Sequence, residues 1–105
     1  MTAPTGLSPA PEVTEPPKYP IIWVRPDSNV QNIAGLISSS IEKDKRITLR
    51  AIGAGAVNQA VKAVIQARQQ LASHGEDLIV RPGFTTVAGN DGNEVTAIVL
   101  HCLLT

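Results

Sequence analysis

Two glycines one residue apart, Gly53 and Gly55, constrain this chain more than any other feature. An apolar run over residues 47–52 enters them. An alanine-rich helical pattern, Ala56-Val57-Asn58-Gln59-Ala60-Val61-Lys62-Ala63, leaves them. A strand must turn sharply into a helix here, because glycine accepts backbone angles closed to other residues and lets a neighbouring backbone come close. The first turn of such a helix also directs amide N–H groups outward, where an anion can bind. The segment is thus both a fold element and a candidate site. A dinucleotide fingerprint needs a third glycine where Asn58 stands, and the phosphate-loop pattern G-x-x-x-x-G-K-[ST] is absent. Close packing and the turn account for the glycines first, and an anion site is the second reading.

The chain has 105 residues, enough for one modest core. Nine Lys and Arg balance nine Asp and Glu, whereas a duplex-DNA binder usually shows a positive excess. Cys102 is the single cysteine, so no disulfide forms within the chain, which fits a reducing cytoplasm. No apolar stretch reaches the length of a membrane span, and the first residues lack the basic-then-apolar pattern of a secretory signal. The aromatic residues are Tyr19, Trp23 and Phe84, too few for a stacking platform of several rings.

Residues 1–20 hold six of the eight prolines and read as a mobile tail that cannot offset its ordering cost. The domain is expected over residues 21–105. Ile21-Ile22-Trp23-Val24, closed by Arg25-Pro26, reads as a first strand. Asp27, Ser28 or Asn29 caps a helix whose buried face is Val30, Ile33, Ala34, Ile37 and Ile41. Residues 42–46 form a charged turn. Ile47, Leu49 and Ala51 then alternate with Thr48 and Arg50 in a second strand.

The second helix is expected over residues 54–72, with Val57, Ala60, Val61, Val64, Ile65 and Leu71 as its buried stripe and Gly75 beyond its end. A third strand spans residues 77–84, interrupted late by Pro82-Gly83. Asn90-Asp91-Gly92-Asn93 makes a turn before a last strand over residues 94–104. The order is β-α-β-α-β-β, and right-handed crossovers stepping one way across the sheet place both helices on one face. The last strand is apolar on both sides. Such a strand is buried on both, so one side is expected to meet a second subunit, with Ile98, Leu100 and Cys102 as candidate contacts.

Catalytic constellations are weak. His101 and Cys102 are adjacent on a strand and point to opposite faces, which prevents a nucleophile–base pair. His74 stands far from both, so no metal-ligand spacing arises, and Glu76-Asp77 read as a turn. Nothing identifies a cofactor or a small-molecule substrate, and the chain is expected not to be an enzyme.

The stretch Arg50-Ala51-Ile52-Gly53-Ala54-Gly55-Ala56-Val57-Asn58-Gln59-Ala60-Val61-Lys62-Ala63, followed by Ile65-Gln66-Ala67-Arg68, closely resembles the stage V sporulation protein S (SpoVS) family. Ile33-Ala34-Gly35, Asp77-Leu78-Ile79, Pro82 and Phe84 fit the same pattern. The resemblance implies a small bacterial regulator acting in sporulation or development. It also implies an Alba-like fold, an α/β (α+β two-layer) arrangement with a four-stranded sheet of order 1-2-4-3 and two helices on one side.

Proteins of the Alba type bind nucleic acid as dimers through basic groups after the first strand, at the turn into the second helix, and on the last hairpin. Here those places carry few cations: Arg25 beside Asp27 at the first, none at the second, and Asp91 without Lys or Arg at the third. Binding to DNA or RNA is therefore expected to be weak, since phosphate neutralisation supplies most non-specific affinity. The candidate surface is Arg25, Arg50, Gly53, Gly55, Asn58, Gln59, Lys62 and Arg81. The rival expectation is a protein-interaction module that docks through the apolar sheet face or the tail.

Overall fold

The computed structural model describes residues 20–105. The expectation for the Pro-rich segment therefore lies, apart from Pro20, outside the described residues. The elements are β1 (Ile21–Val24), α1 (Val30–Asp44), β2 (Arg46–Ala51), α2 (Ala54–Ala72), β3 (Leu78–Ala88) and β4 (Glu94–Leu104). They form one sheet of order β1-β2-β4-β3, with β1 parallel to β2 and β4 antiparallel to both its neighbours.

Local chemistry sets the boundaries. The Asn29 side chain caps α1, its Oδ1 accepting the Asn32 N–H at 2.9 Å. Lys45 ends that helix in a left-handed conformation, its N–H donating to Ile41 O at 2.9 Å. Beyond α2, Gly75 at φ +77° reverses the chain, with Gly75 N–H on Ala72 O and Glu76 N–H on Leu71 O. At the β3–β4 tip the Asp91 carboxylate accepts the Asn93 backbone and side-chain N–H groups, each at 3.0 Å. Those bonds hold the Asp91 carboxyl below its ordinary pKa.

Both helices cover one face of the sheet. Ile33, Ala34, Ile37 and Ile41 of α1 and the small residues of α2 pack on Ile47, Leu49 and Ala51 of β2 and on Leu100 and Cys102 of β4. Fully burying a side chain such as Ile37, Ile41 or Leu49 contributes about 1.5–3 kcal/mol.

Three details differ from the sequence expectation. The buried stripe of α2 is Ala56, Ala60, Ala63, Val64, Ala67 and Leu71, while Val61 and Ile65 are 43% and 51% exposed. The alanines let α2 lie close against α1, which turns the larger apolar residues outward. β3 continues through Pro82-Gly83 to Ala88, because it is an edge strand and proline need not donate there.

The third difference concerns β4. Its pairing Ile47↔Cys102, Leu49↔Leu100 and Ala51↔Ile98 puts Ile98, Leu100 and Cys102 on the helix-covered side. Leu100 and Cys102 belong to the core, with Ile98 packed against it. Leu100 and Cys102 are therefore not free to meet another subunit, which corrects the expected contact at those two residues, while Ile98 stays half-buried beside Phe84. The opposite side of β4 bears Val95, Ala97, Val99, His101 and Leu103. Of these, Ala97 and Val99 are buried within the one chain, Val95 and Leu103 are half-buried and His101 is exposed.

Candidate functional site

The eight candidate residues separate into two places. Six lie where β1 and β2 end together, since the two strands are parallel with Val24 beside Ala51. Gly53 caps α2 at φ +89° and ψ 159°, a conformation other residues rarely adopt, without any side-chain cap. A side chain at Gly55 would begin 3.2 Å from Pro26 Cβ, so Gly55 is where α2 packs on the loop after β1.

That loop is internally braced: the Arg25 N–H donates to Ser28 Oγ at 2.8 Å, and the Ser28 N–H donates to Arg25 O at 3.0 Å. Gln59 donates its side-chain N–H to Ser28 O at 2.9 Å and is half-buried. One of its two side-chain N–H groups thus braces the loop after β1. Arg25, Asn58 and Lys62 are exposed, with Asp27 exposed beside Arg25. The place offers two separated cations and one opposing carboxylate.

Arg50 and Arg81 lie elsewhere, on the sheet face that carries no helix. Strand register orders that face into rows. Trp23, Arg50, Val99 and Gly83 share one row, and Ile21, Thr48, His101 and Arg81 share the next. Arg46 stands opposite Leu103, with Ile79 beyond, in a third. The Arg50 guanidinium lies 5.7 Å from the Trp23 ring centroid, close enough for a cation–π contact. Arg50 Nε is buried and has no hydrogen-bond partner. Thr48 Oγ1 and His101 Nδ1 are 3.0 Å apart; where the hydroxyl donates, Nε2 of the ring carries the proton and is a donor.

A recess of about 100 Å³ opens among Arg46, Thr48, Arg81, His101 and Leu103. The three rows contain three arginines and no acidic residue. The described acids sit instead in the loop after β1, at the end of α1, before β3 and at the far hairpin.

Sequence reasoning gave no site role to Arg46, assigned to a turn, to Trp23, placed in the first strand and counted as a scarce aromatic, or to His101, weighed only as a catalyst. The signal was the alternation of β2 itself, in which Arg46, Thr48 and Arg50 share one side. Of the remaining charges, Arg68 pairs with Asp77 at 3.1 Å across an exposed edge, worth at most about 1 kcal/mol. Glu42 from the end of α1 comes together with His74 and Glu76, ligand atoms within 4.8 Å, an association the sequence spacing concealed. Exposed acidic groups often cluster in this way without an ion.

Cys102 is buried, and burial pushes its thiol up to about 12. It lies on the covered face and His101 on the open one, so they form no catalytic pair. Among the described residues, no helix is long and apolar enough to cross a membrane.

Comparison with known proteins agrees with this geometry. Alba from Thermoplasma volcanium shares the fold with a TM-score of 0.55 at 19% identity, over 79% of this chain and 98% of that one. The pattern of the family described as Stage V sporulation protein S (SpoVS) matches residues 20–104, from the residue before β1 to the end of β4. With the glycine turn, the alanine-packed second helix and the 1-2-4-3 sheet all in place, the chain belongs to the SpoVS family.

Proposed function

We propose that this chain is a cytoplasmic bacterial regulator, linked to sporulation or development, that binds nucleic acid directly with little sequence preference. The observation that carries the reading is the open sheet face, where Arg50, Arg81 and Arg46 stand in three successive rows that hold none of the described acids. A net charge of zero conceals this asymmetry. Few side chains there suit bidentate recognition of base pairs, which argues for weak sequence preference.

The test is fluorescence anisotropy with labelled DNA and RNA, single- and double-stranded, at about 50 and 200 mM salt. Three phosphate contacts on a single strand imply an affinity loss of about 20-fold across that range. Absence of binding to all four probes at low salt refutes the reading.

The rival is a protein-interaction module, favoured by a specific exposure. Phe84 is 79% exposed beside Pro82, Gly83 and Ile98, and Ile52, Val61 and Ile65 are exposed as well. That surface also suits a second copy of the chain, and a homodimer joined there fits with nucleic acid held on the open face.

A further inference from the structure

We infer that the open sheet face is a single-strand site, in which a base stacks on Trp23 and a phosphate enters the recess among Arg46, Arg81 and His101. The inference deepens the proposed function and rests on it. Trp23 is 45% exposed on β1, on the side away from both helices. A duplex hides its base faces, whereas an unpaired strand can lay them flat on an aromatic ring. A four-stranded sheet with helices behind it is the platform on which some RNA-binding modules stack bases.

Among the described residues Trp23 is the large aromatic ring on this face, and the Arg50 guanidinium beside it extends the flat surface, since guanidinium planes also stack on bases. The remaining requirement is charge. The recess holds about 100 Å³, and it is lined by Arg46, Arg81, Thr48 and His101. It begins one row along from Trp23, about 6.6 Å in the strand direction. Stacking surface and cationic recess thus share one face. Trp23 stands on β1, and the recess begins at Thr48 on the neighbouring β2 and reaches Arg81 about 14 Å across on β3. None of the described acids stands in the three rows. That combination matches an alternation of base and phosphate. Apolar surface suited to a protein partner is greatest at Phe84, 79% exposed on the other side of the sheet, while Trp23 and Ile79 expose 45% and 39% on this one.

Trp23 is the single tryptophan, so its emission reports on this site alone. Unlabelled oligo(dT) or oligo(U) of ~12 nucleotides, within the ~4–16 typical of single-strand sites, should quench it with the midpoint that anisotropy gives. A duplex of the same length should bind more weakly and quench less. Trp23→Ala should weaken single-strand binding about 5- to 150-fold, with Trp23→Phe restoring most of it. Arg81→Ala should weaken all single strands alike and lower the salt slope by about 0.7.

Anisotropy that rises while wild-type emission stays constant overturns the site and leaves the nucleic-acid reading standing. Tighter binding to duplex does the same. Absence of binding to every probe overturns both.

Discussion

Replacing Gly53 by alanine should lower the melting temperature, while the same replacement at Gly55 should hardly move it. Gly53 has φ +89° and ψ 159°, a region nearly confined to glycine. Placing any other residue there costs about 1–3 kcal/mol. A Cβ built at Gly53 meets nothing within 4 Å, so clash adds nothing. Alanine also reduces the freedom of the unfolded chain, which offsets about 0.4–1 kcal/mol. The net loss is about 1–2 kcal/mol, equivalent to roughly 5–15 °C in a domain of this size.

Gly55 is helical and has no positive φ. Its Cβ would lie 3.2 Å from Pro26 Cβ, a contact that a shift of a few tenths of an ångström in the exposed loop relieves. Against this, alanine gains up to about 1 kcal/mol of helix propensity over glycine. Gly55→Val presses further branches on Pro26 and should cost about 1–3 kcal/mol. Circular dichroism melts of Gly53→Ala, Gly55→Ala and Gly55→Val rank the three variants. A Gly53→Ala protein as stable as wild type, or less perturbed than Gly55→Ala, would show that strain and clash have been assigned to the wrong glycines.

Two further outcomes follow from the helix-covered side of β4. Leu100→Asp should abolish the cooperative melt rather than merely split an oligomer, because it strands a carboxylate beneath the helices. A folded, soluble Leu100→Asp protein would contradict the register. The Cys102 thiol, pushed up to about 12 from an ordinary 9.0, contributes stability that is fully present below pH 9 and is lost as pH rises towards 12. Wild type should therefore lose stability over that window faster than Cys102→Ala, by up to about 1.4 kcal/mol per pH unit, in urea titrations. Parallel slopes would place the thiol in contact with solvent.

The element order was legible because each boundary carries its own local chemistry: Asn29 as a cap, Gly75 past a helix end, Asp91-Gly92 in a turn. Which side of β4 faces the helices was not legible. Both sides are apolar, and a shift of one residue in register exchanges them. Only the pairing with β2, whose two sides differ sharply, decides the matter. The stripe of α2 was misplaced for a related reason. Hydrophobic periodicity favours large residues such as Val61 and Ile65, whereas close approach of two helices selects alanine at Ala56, Ala60, Ala63 and Ala67. The candidate surface was half legible. Its turn residues were found by the glycine pattern, but Arg46, His101 and Trp23 join Arg50 and Arg81 only through register across four strands.

The same register explains how a chain of zero net charge can present a cationic face. Strand alternation sends Ile47, Leu49 and Ala51 into the core and leaves Arg46, Thr48 and Arg50 on the other side. The described acids, by contrast, occupy turns, helix ends and a strand start: Asp27, Glu42, Asp44, Glu76, Asp77 and Asp91, with Glu94 opening β4. There they contribute to turns and to an ion pair, as Asp91 and Asp77 do, and stay off the open rows. Screening limits interactions between exposed charges beyond about 10 Å at 0.1 M salt. A ligand on the open face therefore responds to the arginines in its own rows more than to the distant carboxylates. Net charge is a sum over the molecule, whereas a strand lying on this sheet samples one side of it.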